Sequence, residues 1–104
     1  MVPKIEEIEY WVAKEFDYRK NVVVPNVSWG LRDLGHECDL LVLRASGHCV
    51  EVEIKRSLSD LKADKIKGHR HSSQMIRELW FAIPADIYEK AVDHIPGAAG
   101  IITF

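Results

Sequence analysis

The sequence predicts a single α/β domain, an α+β arrangement on a mixed sheet, and three observations predict it. Apolar side chains recur at helical spacing over the first sixteen residues. Two alternating runs then flank a short loop ending in glycine, and a helix, a strand, a helix and a last strand follow. A hairpin followed by a strand–helix–strand unit puts antiparallel and parallel neighbours in one sheet, with helices on both faces.

Ile5, Ile8, Val12 and Phe16 lie three or four apart, and Pro3 stands where a first turn tolerates proline, so a helix is expected over residues 4–17. Val22, Val23 and Val24 before Pro25 predict a strand running on toward Trp29, irregular at the proline. Residues 30–36, with two glycines, read as a loop. Strands are expected over residues 38–44 and 48–56, joined by Ala45, Ser46 and Gly47, because glycine closing a three-residue loop suits a left-handed backbone. That loop sets the register: Arg44 faces His48, and counting back brings Asp39 opposite Glu53.

One face of the hairpin then carries Cys38, Leu40, Val42, Val50, Val52 and Ile54. The other carries Leu41, Leu43 and Cys49 near the turn, and Glu37, Asp39, Glu51, Glu53 and Lys55 toward the open end. On this count the two cysteines point to opposite faces, and no disulfide is expected between them. Ser57 with Asp60 three residues on reads as a capping box opening a helix through about Lys67. Residues 78–83 predict a strand ended by Pro84. Ile87, Ala91 and Ile95 form the stripe of a helix from Asp86 to about His94, Pro96 and Gly97 break it, and residues 100–104 make a final strand.

At 104 residues, 47% hydrophobic and 29% charged, the chain has the size and composition of one soluble domain spanning residues 1–104. It contains no repeat or low-complexity tract, and no apolar run near the ~18 residues of a membrane span. The first residues are acidic and amphipathic, unlike a signal peptide, so a cytoplasmic location and no membrane partner are expected. Two cysteines are too few for a disulfide scaffold or a four-thiolate zinc site. The net charge of -2 is unevenly spread. Between residues 55 and 77 stand Lys55, Arg56, Lys62, Lys65, Lys67, Arg70 and Arg77 against Asp60 and Asp64, with His69 and His71 among them. Local basicity is what a phosphate backbone meets.

The stretch from Cys49 to Lys55 carries the most chemistry. Alternation puts Glu51, Glu53 and Lys55 on one face, where three charges are costly unless neutralised or solvated. Asp39 opposite Glu53 gives two carboxylates that repel unless a proton or a cation sits between them. Mg²⁺ or Mn²⁺ suits such a pair, completed by water and phosphate oxygens. Lys55 would orient an attacking water or stabilise the charged transition state; alternatively it pairs with Glu37. On the first helix Glu9 falls inside the apolar stripe, either supporting the site or reaching solvent at the stripe's edge. Glu51 is a second acid at the site or an ion-pair partner.

Lys62, Lys65, Lys67, His69 and Arg70 would contact phosphates without reading sequence, or else form a solvated helix face. His69 and His71 alone are weak grounds for zinc. Trp11, Trp29 and Trp80 read as core or interface, and Ser57 as a cap rather than a nucleophile.

A helix with an inward glutamate, an acid early in a strand, a hairpin, and Glu-x-Lys in the next strand resemble the PD-(D/E)xK nuclease superfamily. The run VEIKRSLSDLKADKIKGH, followed by LWFAIP and IPGAAGIITF, is similar to the MmcB-type DNA-repair nucleases, from Asp39 to the end above all. The resemblance implies a restriction-endonuclease-like αβββαβ core with an added αβ unit. It implies Asp39, Glu53 and the Ile54 carbonyl as metal ligands, Lys55 as the catalytic lysine, and Glu9 as the helix acid. Cys38 stands where the superfamily often has proline. The expectation is Mg²⁺- or Mn²⁺-dependent phosphodiester hydrolysis in DNA, in repair or mobile-element biology. The alternative is a nuclease fold without turnover, holding nucleic acid or a protein. A domain this small offers little surface for wrapping DNA, which leaves a homodimer or an accessory repair protein as the expected partner.

Overall fold

The computed structural model describes residues 3–27, 38–66 and 76–104, with the backbone alone for residues 64–66. Helix α1 (Ile5–Glu15) leads to strand β1 (Val22–Val27), then β2 (Cys38–Leu43) and β3 (Cys49–Ile54). Helix α2 (Leu58–Ile66) precedes β4 (Ile76–Ile83). The last segment winds through a 3-10 turn (Ala85–Ile87), a short helix α3 (Tyr88–Ala91) and a second 3-10 turn (Val92–His94) into β5 (Gly100–Thr103). The sheet has five strands in sequence order. β1, β2 and β3 are antiparallel neighbours, whereas β3–β4 and β4–β5 are parallel. The expected mixed sheet is present.

Each parallel step needs a crossover, and the helices that supply it cover the sheet. Ile8 and Val12 of α1 pack on Leu40, Val42, Val50, Val52, Ile54 and Ala82. On the opposite face Leu61 of α2, with Ala91 and Ile95, packs on Phe81 and Ile83. The helices therefore lie on both faces. Trp11 and Trp80 pack against the first of these cores, Trp80 edge-on to Phe16 with ring centroids 5.7 Å apart. Trp29 lies outside the described residues.

The hairpin register agrees with the count from the turn. Leu43 pairs with Cys49 and Leu40 with Val52, while the Arg44 N–H donates to the His48 carbonyl at 3.0 Å. Gly47 takes φ +89, the left-handed conformation its position requires. The Ser57 hydroxyl accepts the Asp60 N–H at 3.1 Å, as a helix cap does.

Several expectations need correction. Helix α1 is shorter than residues 4–17, because Asp17 turns left-handed (φ 51) just beyond it, and Pro3 precedes its cap, Lys4. The irregularity of β1 falls at Asn26 (φ 55), the residue after Pro25. β4 begins at Ile76 rather than Glu78, through pairing with Cys49. The third helix occupies residues 85–94 as expected but changes winding, 3-10 at both ends and α between, with no side-chain cap. The cysteines do not separate onto opposite faces either: Cys38 and Cys49, both free and buried, share a cluster with Leu41. Regular β2–β3 pairing ends at Leu40, and counting faces back past that point misplaces Cys38.

Candidate functional site

Where regular pairing stops, side-chain chemistry takes over. Asp39 lies one residue before Leu40, and its Oδ2 accepts the backbone N–H of Ile54 at 2.7 Å. A carboxylate thus stands where a backbone carbonyl would continue the ladder. This bond fixes Asp39 at the end of β3, beside Glu53 and Lys55. Lys55 is itself pinned by its backbone N–H, which donates to the Ala82 carbonyl of β4 at 2.9 Å. Its Nζ lies 3.8 Å from Glu53 Oε2. The ammonium therefore stands beside Glu53, and the other expected partner, Glu37, lies outside the described residues.

Burial makes these charges expensive. Glu51 is 0% exposed, Glu53 2% and Lys55 8%. Desolvation pushes the Glu53 carboxyl far above its ordinary range; the hydrogen bond with Glu51 and the charges of Asp39 and Glu51 push the same way, and only Lys55 opposes them. Desolvation likewise raises the Cys38 thiol, which donates a hydrogen bond to Glu51 and faces the charges of Glu51, Glu53 and Asp39. Burial raises Cys49 as well. Glu9 is half-buried, and its carboxyl is raised by desolvation, by Glu6 and by Asp39. Glu53 and the acid on α1 thus both sense Asp39.

The sequence-read residues Asp39, Glu53 and Lys55 come together, with Glu9 close enough to feel Asp39. Glu51 is a fully buried partner of Glu53, a role that the Glu-x-Glu-x-Lys alternation marked without defining. The hydrogen bond from Cys38 had no signal in the sequence, since the strict alternation count turned that thiol away. On α2, Lys62 is exposed, while the Lys65 side chain and Lys67, His69, Arg70 and His71 lie outside the described residues.

Among the described residues, no group of three His, Cys, Asp or Glu side chains forms a ready metal cage. The donor set nonetheless suits a hard divalent ion, which binds through one or two carboxylates and takes its other ligands from water and phosphate. Asp39 acts on both Glu53 and Glu9, Glu51 acts on Glu53, and this repulsion is what a cation would relieve.

No known family model matches the sequence, and no curated protein matches it. Among solved structures, the chain is similar to SPO1766, a protein of unknown function from Silicibacter pomeroyi, with a TM-score of 0.63 and 23% identity. The likeness covers 88% of this chain and 58% of that one, so the chain spans less than two thirds of that protein's length. It shows a shared fold. No helix among the described residues is long and apolar enough to cross a membrane.

Proposed function

We propose that the chain is a metal-dependent nuclease domain of the PD-(D/E)xK type that hydrolyses phosphodiester bonds in DNA, on a restriction-endonuclease-like core. The observation that carries this reading is the junction of two carboxylates and an ammonium where β2 and β3 part: Asp39 on the Ile54 N–H at 2.7 Å, and Lys55 at 3.8 Å from Glu53. Asp39, Glu53 and the Ile54 carbonyl would hold Mg²⁺ or Mn²⁺. When bound, the ion supplies neutralisation of charge at the scissile phosphate and acidification of a water.

The chain's own groups do the rest. Lys55, held by its backbone to Ala82, keeps its ammonium beside Glu53 to orient the attacking water and to stabilise negative charge as it develops. Glu53 places that ammonium. Glu9 adds a carboxylate beside Asp39. Lys62, with Lys65, Lys67, His69 and Arg70 further along the chain, contacts flanking phosphates, so binding weakens steeply with salt. Repair or mobile-element DNA is the substrate setting this reading favours, with a second copy or an accessory repair protein completing the grip.

The depth of Glu53 favours a second reading, a nuclease fold that binds nucleic acid or protein without turnover. Calorimetry with Mn²⁺ separates the two. The nuclease reading expects binding by the wild type and a loss of at least about tenfold in affinity for Asp39→Asn, since changing even an outer-shell partner of a metal costs about 10–100-fold. No binding by either protein overturns it in favour of the module.

A further inference from the structure

Arg56 follows Lys55 at the corner between β3 and α2, and it is exposed. Its backbone N–H donates to Asp60 Oδ2 at 3.2 Å, which fixes it to the first turn of α2. Its Nη2 reaches 53 residues back to the Pro3 carbonyl at 3.0 Å, just ahead of α1. A cation near a helix N-terminus opposes the helix dipole, so helix stability does not explain this placement. Nor does α1 have a side-chain cap of its own, since Lys4 provides none. The apolar contacts of Ile8 and Val12 hold α1 against the sheet. Apolar packing is non-directional, so those contacts leave small slides along the helix axis cheap. A directional bond at one end removes that freedom. Glu9 lies six residues beyond Pro3, so a slide of the helix start is a slide of its carboxylate relative to Asp39.

We propose that Arg56 is a positioning residue: by holding the Pro3 carbonyl, it locks α1 in place along its axis and keeps Glu9 beside Asp39. The inference rests on the nuclease reading, and its consequence is a thermodynamic coupling between Arg56 and Glu9. The test is cleavage of plasmid DNA with Mn²⁺ by the full chain, its Arg56→Ala, Arg56→Lys and Glu9→Gln variants, and the Arg56→Ala/Glu9→Gln double variant. Arg56→Ala is expected to lower turnover about tenfold with KM little changed, since misplacing a group by ~1 Å costs up to ~10²-fold. Arg56→Lys should recover most of the loss, because an ammonium can still donate to the carbonyl. In the Glu9→Gln background Arg56→Ala should cost nothing more.

Losses that add, or a loss in KM alone, overturn the positioning role. Hydrogen exchange reads the link directly: the Glu7 and Ile8 amides, which donate to the Lys4 carbonyl, should exchange faster in Arg56→Ala. Unchanged exchange overturns the link whatever the cleavage shows. A wild-type chain that never cleaves removes the functional reading and the positioning role together, whereas wild-type cleavage with additive losses removes the positioning role alone.

Discussion

The two ends of the β2–β3 hairpin are made of the same two strands and behave in opposite ways. At the turn, Leu43 pairs with Cys49, Gly47 closes the loop, and backbone hydrogen bonds complete the ladder. At the open end a side chain replaces a ladder acceptor, and two buried acids, Glu51 and Glu53, stand with a buried lysine that lies 3.8 Å from Glu53. The turn end satisfies its backbone polar groups locally. The open end gathers carboxylates around a buried Glu53 whose pKa desolvation, Glu51 and Asp39 all raise, an arrangement with no benefit to the isolated fold. A protein tolerates such a cost where the charges serve a ligand, and sites of this kind are where perturbed acids concentrate. On the nuclease reading, stability and chemistry occupy separate ends of one hairpin, and substitutions at the two ends should separate them.

The largest effect is expected at the open end. Lys55→Ala removes the ammonium 3.8 Å from Glu53 Oε2 while leaving the backbone bond to Ala82 in place. Cleavage should fall by about 10²–10³-fold with any divalent ion, the range for loss of one group that stabilises developing charge. A gel-based cleavage time course reads it. A variant as fast as wild type would show that the open end is not a reaction centre.

The next effect concerns stability and its sign. Glu53 keeps its proton in the folded chain well above the ordinary value of 4.5, whereas the unfolded chain releases it. The stabilisation is fully present below about that value and is lost as pH climbs toward the raised folded pKa, by up to ~1.4 kcal/mol per pH unit for one retained proton. In EDTA the melting temperature should therefore fall between pH 5 and pH 8. Glu53→Gln, which has no proton to release, should flatten that slope and melt higher at pH 8. Mn²⁺ should raise the wild-type midpoint and leave that of Glu53→Gln nearly unchanged. A pH-independent wild-type midpoint would mean that Glu53 is solvated, and the contrast between the ends would dissolve.

The same contrast explains what could be read from the sequence. The turn end was legible because its rules are local: glycine third in a three-residue loop fixes the register, and register fixes every pair up to Leu40 with Val52. The element order followed from periodicity together with the glycine, proline and cap residues that separate the periodic runs. Asp39 and Glu53 were legible as neighbours, although the ladder itself stops one pair short of them. Their environment was not, because it depends on what the carboxylate of Asp39 bonds to, and a strand pattern holds no such information. Cys38 went to the wrong face for that reason, and Glu51 kept two readings until its burial and its hydrogen bond with Glu53 were known. The link from Arg56 to Pro3 joins residues 53 apart through a side chain and a carbonyl, with no periodic trace. The C-terminal helix was legible in its extent but not in its winding, since an apolar stripe at Ile87, Ala91 and Ile95 does not show that its first and last turns are 3-10.

The smallest effect belongs to the turn. Gly47 takes φ +89 and a Cβ there would meet nothing within 4 Å, so Gly47→Ala tests backbone strain without a packing clash. The left-handed conformation costs an L-residue about 1–2 kcal/mol, which should appear in full as lost stability in urea unfolding. The substitution lies at the far end of the hairpin from Asp39 and Lys55, so cleavage per folded molecule and Mn²⁺ affinity should stay at wild-type values. If Gly47→Ala instead weakens metal binding, strain introduced at the turn has travelled along β2 and β3 to the open end. The hairpin would then be one mechanical unit, with its register holding the acids together, rather than two independent regions sharing strands.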